Sequence, residues 1–409
     1  MHEGRIIKYF RKKAKLTQQQ LGDGICSDTH VSKIERGMTE YSPEVTMLLS
    51  KRLGINIEEE LSRFHNLKKT LTRWHDAIIM QRIGAIETIK KELEKEELIK
   101  ISEYQILYDL LRARYHLLHN NLIEADKIIN TVQKKQIKLP PYENNLLKHI
   151  LGIYYLATKD MIKAVHILRT INSDVYNHPD HYLTLATAYL TVNSKILAYY
   201  YAELSLRFFI RTNNYLRAID AELIMLITRE GEGQRDFHKT VEQYEVLIQT
   251  CDLCHAHDKK ASVLHNLAHE HYCRKDYKAS SRLYHKSMLL KVKKSAEYLT
   301  SLEAFIRCCY EGRILSNDKL EQLGNEGLVI AREINQTLYT INFQLLLYKI
   351  NNQNPEYLHY LSTKALPYYK KCGYVSLVRR YEKELFNYHL KTGQIDNALE
   401  LADLLINNG

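Results

Sequence analysis

Four residues near the middle of the chain have the types and spacing of a zinc site: Cys251, Cys254, His255 and His257. Thiolates and imidazoles are common Zn²⁺ ligands in proteins. All four lie on a segment with the pattern of a single helix, and no second ligand pair follows at the spacing of known zinc motifs. The sequence therefore predicts no bound metal and no cofactor.

A second group with catalytic residue types is His269-Glu270-His271. Its two histidines are two positions apart and would diverge on a helix, unlike the His-Glu-x-x-His pair of zinc proteases. The sequence also contains no Gly-x-Ser-x-Gly, no Gly-Lys-Ser/Thr phosphate loop and no Gly-x-Gly-x-x-Gly. We therefore expect that the protein is not an enzyme.

Composition narrows the class of protein. A chain of 409 residues exceeds one ordinary core, which predicts two or more domains or a repeat array. The 15 Gly and 6 Pro are few for this length, which indicates long helices joined by short turns rather than an all-β fold. The seven Cys are an odd number and have the pattern of reduced thiols. No signal peptide and no apolar run of about 18 residues is present, so we expect a cytoplasmic location without membrane contact.

The first sixty residues have the pattern of short helices. Thr17 and Gln20 form a capping box, which starts the second helix at the residue after Thr17. Ser27 or Asp28 caps a third helix, which ends before Gly37. Two short helices joined by a tight turn, the second polar on its outer face, form a helix-turn-helix.

Charge gives weaker support for DNA binding. The net charge is +10, of which residues 1–36 carry +4. We place Lys8, Arg11 and Lys12 on the solvent side of the first helix, and the remaining excess follows the solvated faces of later helices. A basic balance alone does not identify a nucleic-acid partner, so the prediction depends on the helix pattern.

Residues 4–61 resemble the Xre/phage-repressor family. The resemblance is carried by "RIIKYFRKKAKLTQQQLGDGICSDTHVSKIERG", with its Leu-Thr-Gln and its Ser-x-x-x-Val-Ser-Lys-Ile-Glu-x-Gly. The family's usual Leu-Ala is Leu21-Gly22 here, which keeps a small residue where the two helices approach each other.

The resemblance implies specific DNA-binding roles. Gln18 would contact a phosphate or clamp the recognition helix. The residues that would face the major groove are Asp28, Thr29, Ser32 and Lys33, and those that would meet phosphates are Arg36 and Lys12. His30 and Asp28 could equally be solvated, and Glu35 is expected to pair with a nearby Lys or Arg. The alternative for the whole segment is a degenerate domain kept for dimerisation.

The rest of the chain repeats one feature, a small residue followed twelve positions later by another. The pairs are Ala113 and Ala125, Gly152 and Ala164, Ala186 and Ala198, and Ala268 and Ser280, with Ala398 alone in a degenerate last copy. The second members are 39, 34, 82 and 118 residues apart, close to multiples of about 40. Further copies are therefore implied near 220–250, 302–332 and 338–370.

This pattern resembles a tetratricopeptide array, whose units are pairs of antiparallel helices. We therefore expect an all-α fold: a helix-turn-helix domain over 1–61, a linker helix over 62–75, and a right-handed superhelix of eight or nine units over 76–409. The first helix of each unit lines a concave surface. The residue after the small one points inward, which selects residues such as Arg114, Ile153, Thr187, His269 and Asn387.

An extended peptide suits such a surface, because amides can pair with its backbone and an arginine with its carboxylate. The predicted peptide-binding residues are Arg114, His265, Asn266, His269, Tyr272, Asn342 and Asn387. Ordinary hydrogen bonds between repeats are the alternative for each of them.

The combination resembles the RRNPP group of peptide-pheromone regulators of Gram-positive bacteria, and within it the NprR-like branch. The resemblance implies a homo-oligomer that binds double-stranded DNA and a short signalling peptide, with the peptide altering oligomer state and promoter binding. It also permits a response-regulator partner. The alternative function is a tetratricopeptide adaptor that binds a protein partner such as a response regulator.

Overall fold

The computed structural model describes residues 2–38, 42–134, 139–229 and 236–407. The regular elements of these ranges are helices, which confirms the predicted all-α fold. Within the same ranges, no helix is both long enough and apolar enough to cross a membrane. The chain separates into two compact units, residues 1–154 and 155–409.

Four short helices begin the first unit: α1 (His2–Lys13), α2 (Gln18–Gly22), α3 (Asp28–Arg36) and α4 (Pro43–Leu53). The predicted capping box is present, because Thr17 Oγ1 accepts from the Gln20 amide and Gln20 Oε1 accepts from the Thr17 amide. Of the two predicted caps of α3, the structure has Ser27, whose hydroxyl accepts from the His30 amide. Gly37 ends α3 with φ +67°, a left-handed conformation that glycine adopts without strain.

These helices enclose a small core made of buried aliphatic side chains, namely Ile7, Leu21, Val31, Ile34 and Leu49. Because α3 contributes two of them, one face of α3 is fixed inward and its opposite face is turned to solvent.

The helix expected over 62–75 is longer in the structure. α5 (Ile57–Ile79) begins before and ends after that range, so both predicted domain limits fall inside one continuous helix. Its buried side includes Trp74, whose indole N–H donates to the Ile86 carbonyl of α6 (Ile83–Lys95) at 3.2 Å. A 3-10 turn, Glu97–Ile101, follows.

The later helices follow one another as hairpins: α7 (Gln105–Leu118), α8 (Leu122–Lys134), α9 (Pro141–Ala157), α10 (Met161–Arg169), α11 (Pro179–Thr191), α12 (Lys195–Arg211), α13 (Tyr215–Thr228), α14 (Phe237–Leu253), α15 (His257–Cys273), α16 (Tyr277–Leu289), α17 (Ala296–Glu311), α18 (Asn317–Glu333), α19 (Thr337–Ile350), α20 (Asn354–Tyr360), α21 (Leu366–Cys372), α22 (Val375–Lys391) and α23 (Ile395–Asn407). α20 and α21 form one helix interrupted by a π turn, Leu361–Ala365. In the described ranges this gives eight consecutive pairs of helices from α7 onward, or nine with α5–α6; the predicted number of repeat units is eight or nine.

The small residues of the repeat pattern are buried, as predicted. In one pair they touch directly, because Ser280 Oγ donates to the Ala268 carbonyl at 2.8 Å. α18 uses glycine for the same purpose: a Cβ on Gly327 would lie 2.5 Å from the Phe343 ring. Small residues therefore mark the places where neighbouring helices approach most closely.

The turns between helices explain the low glycine content. Several place an asparagine in the left-handed region, with φ from 54° to 60°: Asn120, Asn193, Asn213, Asn335 and Asn352. Asparagine tolerates this conformation better than other residues with a Cβ. The chain can therefore turn tightly without a glycine at each hairpin.

Candidate functional site

The outer face of α3 is the first candidate interface. Asp28, Thr29, Lys33 and Arg36 are exposed and Ser32 is half-buried, whereas Val31 and Ile34 on the other side are fully buried. Lys12 on α1 is also exposed. The predicted DNA-binding residues of α3 thus lie together on one accessible face, which has the size and polarity to enter a major groove.

A buried hydrogen-bond cluster holds this face in position. Glu35 of α3 accepts from Arg11 Nε at 2.5 Å and from Arg11 Nη2 at 3.0 Å. The Gln18 amide donates to Glu35 Oε2 at 2.8 Å, and Arg11 Nη1 donates to the Leu16 carbonyl at 2.8 Å. One carboxylate therefore joins α1, α2 and α3.

This cluster bears on three expectations. Glu35 pairs with an arginine, as expected. Gln18 bonds to the recognition helix, one of its two expected roles, and its contact with a phosphate stays a prediction. The placement of Arg11 towards solvent is wrong: its side chain is buried against Glu35, and the hydrogen bond to that carboxylate raises the pKa of Arg11. The periodicity of α1 gave no sign of this, because the partner is 24 residues away.

Close backbone packing also sets the angle of α3. A Cβ on Gly4 would lie 2.0 Å from the Ile34 carbonyl oxygen, so α1 approaches α3 closely at that point. A Cβ on Gly22 would lie 3.1 Å from Val31 Cγ2, a tight but adjustable contact. As predicted, a small residue stands where α2 and α3 approach each other, and a larger side chain there would crowd Val31.

An acidic segment faces the basic helix α1 within the first unit. Arg5 Nη1 lies 3.0 Å from Glu103, and the Tyr9 hydroxyl donates to Glu97 at 3.0 Å. Lys13 also pairs with Glu97. The charge pattern of α1 alone did not reveal these partners, because they lie at least 84 residues along the chain.

The second candidate interface lies on α15 in the second unit, which carries four of the predicted peptide-binding residues. His265 Nδ1 is 2.9 Å from Ser301 Oγ of α17. The Asn266 amide donates to the Ser262 carbonyl of its own helix at 2.9 Å. The His269 and Tyr272 rings are stacked, with their centroids 5.9 Å apart.

The remaining predicted peptide-binding residues are not part of this group on α15. Asn342 of α19 is buried and accepts from the Tyr369 hydroxyl at 2.7 Å. Asn387 is exposed on α22, and Arg114 is buried on α7 in the first unit. Their assignment to a peptide site stays a prediction.

α17 adds residues that the sequence interpretation did not select. The Arg307 guanidinium lies 5.3 Å from the centre of the Tyr272 ring and pairs with Glu303 at 3.2 Å. The Tyr272 hydroxyl donates to Glu311 at 2.7 Å. Arg307 stands about one repeat beyond Tyr272 in the sequence, and this spacing was the available signal.

The possible zinc ligands show no such convergence. Cys251 is buried in the core at the end of α14, and burial raises the pKa of its thiol to about 11, so it stays protonated at neutral pH. His255 stands in a turn and is exposed. Among the described residues, no group of three or more His, Cys, Asp or Glu side chains is arranged to hold a metal ion.

Comparisons with known proteins bear on the N-terminal domain and on the fold of the chain. Residues 7–59 match the family described as Helix-turn-helix. The chain is similar to the transcriptional activator NprA of Geobacillus stearothermophilus, at 24% identity over 397 residues, which cover 91% of this chain and 94% of that protein.

Two solved structures share the fold. NprR in complex with its cognate peptide NprX superposes with a TM-score of 0.69 at 18% identity, covering 84% of this chain and 99% of that one. A Rap protein complexed with Competence and Sporulation Factor gives 0.71 at 15% identity, covering 84% and 97%. The predicted resemblance to the RRNPP group is confirmed: residues 7–59 are a helix-turn-helix domain, and the chain has the fold of NprR and Rap.

Proposed function

We propose that this protein is a DNA-binding transcriptional regulator whose helical repeats bind a short signalling peptide. The proposal includes a homo-oligomer, a cytoplasmic location and no catalytic step. The peptide would alter the oligomer state and the binding of promoter DNA.

The observation that carries the DNA-binding part is the outer face of α3, held by the Glu35 cluster inside a domain of the helix-turn-helix family. Asp28, Thr29, Ser32 and Lys33 are the proposed base-facing residues. Lys12 and Arg36 are the proposed phosphate contacts, which position a protein on DNA without reading its sequence. NprA, similar over nearly its whole length, is a transcriptional activator, which favours the same role here.

The peptide part is supported by the polar residues of α15 and α17, namely His265, His269, Tyr272 and Arg307, which we call the α15–α17 face. It is also supported by the fold shared with NprR, which was solved with its cognate peptide. A peptide regulates only if it binds two states of the protein with different affinity. In a dimer, those states would differ in the separation of the two α3 helices, which must match half-sites about 34 Å apart or a multiple of that distance.

Genome-wide DNA binding by the purified full-length protein tests the proposal. Fragmented host DNA is incubated with the protein, with and without a peptide extract of the culture, and bound fragments are sequenced. We expect a few palindromic sites whose occupancy shifts with the extract. The Ser32→Ala/Lys33→Ala double variant should lose these sites while keeping the wild-type circular dichroism spectrum.

The second candidate function is an adaptor that binds a protein partner, such as a response regulator, through the repeats. The likeness to a Rap structure with a TM-score of 0.71 favours it as an additional or alternative role. Failure to enrich any site in either condition would contradict the regulator and leave the adaptor. If sites are enriched equally with and without the extract, the protein binds DNA, and the repeats are assigned to a protein partner rather than to a peptide.

A further inference from the structure

We infer that the ligand of the α15–α17 face presents a carboxylate, which is bound by the ammonium group of Lys291 and the guanidinium group of Arg307. This inference rests on the proposed function and specifies the chemistry of its peptide.

Lys291 is the first of the two cations. It follows α16, is half-buried, and its Nζ donates to Ser301 Oγ at 2.6 Å. Throughout the described residues no carboxylate lies within 4.0 Å of this ammonium, although an ammonium has three donors and a full charge. Burial lowers the pKa of Lys291 to about 8, and the charge of Glu297 offsets only part of that effect. The site thus holds a partly desolvated cation that no carboxylate of the described residues contacts directly.

Arg307 is the second cation. Nη1 pairs with Glu303, and one face of the guanidinium covers the Tyr272 ring. Its Nε is buried and makes no hydrogen bond in the described structure, and neither does the buried hydroxyl of Tyr284. Buried donors without acceptors are costly and uncommon in folded proteins. Donors are therefore in excess on this face.

The two cations belong to one contiguous group. Ser301 contacts Lys291, His265 and Ser287, the last at 3.2 Å between hydroxyl oxygens. The His265 ring lies 5.1 Å from the ring of Tyr284. Burial, followed by the charges of Lys291, His269 and Arg307, lowers the pKa of His265 well below its usual value. His265 is therefore neutral at pH 7. Arg307 is linked to this group through the Tyr272 ring, which stacks on His269 of the same helix as His265.

A second cluster of the same unit balances its charges. Arg217 of α13 pairs with Asp180 of α11 and with Asp220, and Lys259 of α15 lies 2.6 Å from Asp220. Two carboxylates accompany two cations there, although Arg217 Nε, like Arg307 Nε, is buried without a hydrogen bond. Charge is therefore what distinguishes the α15–α17 face: among the described residues Lys291 has no carboxylate within 4.0 Å, so the missing counter-ion is expected from a ligand.

A peptide can supply this carboxylate from an Asp or Glu side chain or from its C-terminus. Three synthetic pools of randomised heptapeptides distinguish the sources: one with a free C-terminus and no Asp or Glu, one C-terminally amidated with Asp and Glu, and one amidated without them. Full-length protein is mixed with each pool and separated by gel filtration, and the bound peptides are identified by mass spectrometry.

We expect peptides to be retained from one or both carboxylate-bearing pools and not from the third. Lys291→Gln should weaken binding of the retained peptides at least tenfold. Lys293→Gln is the matched control: Lys293 is exposed, pairs with Glu326, and should leave affinity unchanged. Thermal melts followed by circular dichroism verify that both variants are folded.

Equal retention from the pool without carboxylates, or unchanged affinity in Lys291→Gln, would overturn the inference while leaving peptide binding intact. Retention from none of the pools would contradict the inference and the peptide part of the proposed function together. Failure of the inference alone is thereby distinguishable from failure of the function.

Discussion

The helix-turn-helix and the α15–α17 face use polar residues in opposite ways. In the helix-turn-helix, the internal hydrogen bonds of Glu35 are satisfied by Arg11 and Gln18, and the residues offered to a partner stand outside this cluster. On the α15–α17 face, the residues predicted to bind the partner are themselves bonded to neighbouring residues, as His265 is to Ser301. The DNA-binding surface is therefore preformed. On the α15–α17 face, the positive charge of Lys291 has no carboxylate in contact with it among the described residues.

This difference matches the two kinds of partner. DNA presents a regular array of phosphates and base edges, which a rigid helix can read. A short peptide gains its affinity from a few anchor groups, and a binding site with an unpaired cation provides one. Four predictions test the contrast, in order of decreasing expected effect.

Removing the carboxylate that joins α1, α2 and α3 should have the largest effect. Glu35→Ala leaves Arg11 buried without its counter-ion, and breaking one partner of a buried pair typically costs about 3–5 kcal/mol. Urea unfolding of the full-length protein, followed by circular dichroism, should show an early transition for the N-terminal helices, with loss of DNA binding. Lys33→Ala, on the exposed face of α3, is the control and should keep the wild-type unfolding curve. A wild-type curve for Glu35→Ala would show that the α3 face does not depend on the cluster.

Two glycine substitutions test how rigidly α1 and α2 hold α3 in position. Gly4→Ala places a methyl group 2.0 Å from the Ile34 carbonyl oxygen, and the resulting backbone shift should cost about 1–3 kcal/mol. Gly22→Ala meets Val31 Cγ2 at 3.1 Å, and alanine's helix propensity, better by about 1 kcal/mol, should offset the crowding. Unfolding midpoints of the two variants should therefore differ clearly. Equal midpoints would mean that α1 adjusts its distance from α3 freely.

Peptide affinity should fall with rising pH if Lys291 binds a carboxylate. The pKa of Lys291 is about 8 in the free protein, so its ammonium form is dominant at pH 7 and a minor species at pH 9. The affinity for the peptide should therefore be highest below this pKa and fall above it. The expected decrease between pH 7 and pH 9 is about tenfold. His265 stays neutral over this range because its pKa lies well below the usual value, and Arg307 stays charged because its pKa is raised. Titration calorimetry with an N-acetylated peptide, whose amine does not titrate, measures the effect. A slope that persists in Lys291→Gln would assign it to another group.

The smallest effect concerns the acidic partners of α1. Glu97→Gln removes the charge that pairs with Lys13, and because the pair is exposed the free energy of unfolding should stay unchanged. The freed lysine should raise non-specific DNA affinity modestly at low salt, and the difference should vanish at high salt. Fluorescence anisotropy at two salt concentrations measures this. An identical salt dependence in variant and wild type would show that Lys13 does not reach DNA.

Features that depend on interactions between residues close in sequence could be predicted, and features that depend on distant residues could not. The capping box at Thr17 and the end of α3 at Gly37 depend on bonds within a few residues, so both were predictable. The small residues of the repeats were found because their spacing is fixed by helix contact. Arg11, Lys291 and Arg307 were missed as site residues because their partners lie on other helices. Their orientation is decided by helix rotation, which periodicity does not specify.

The π turn at Leu361–Ala365 bears on the orientation of the residues that follow it. A π turn holds one more residue than an α turn. In a regular α-helix one additional residue would rotate everything that follows by about 100°, and the wider turn takes up that rotation. Tyr369, which follows the π turn, holds the Asn342 side chain of the neighbouring helix. The helix can therefore change its length by one residue at this turn and still present Tyr369 to Asn342.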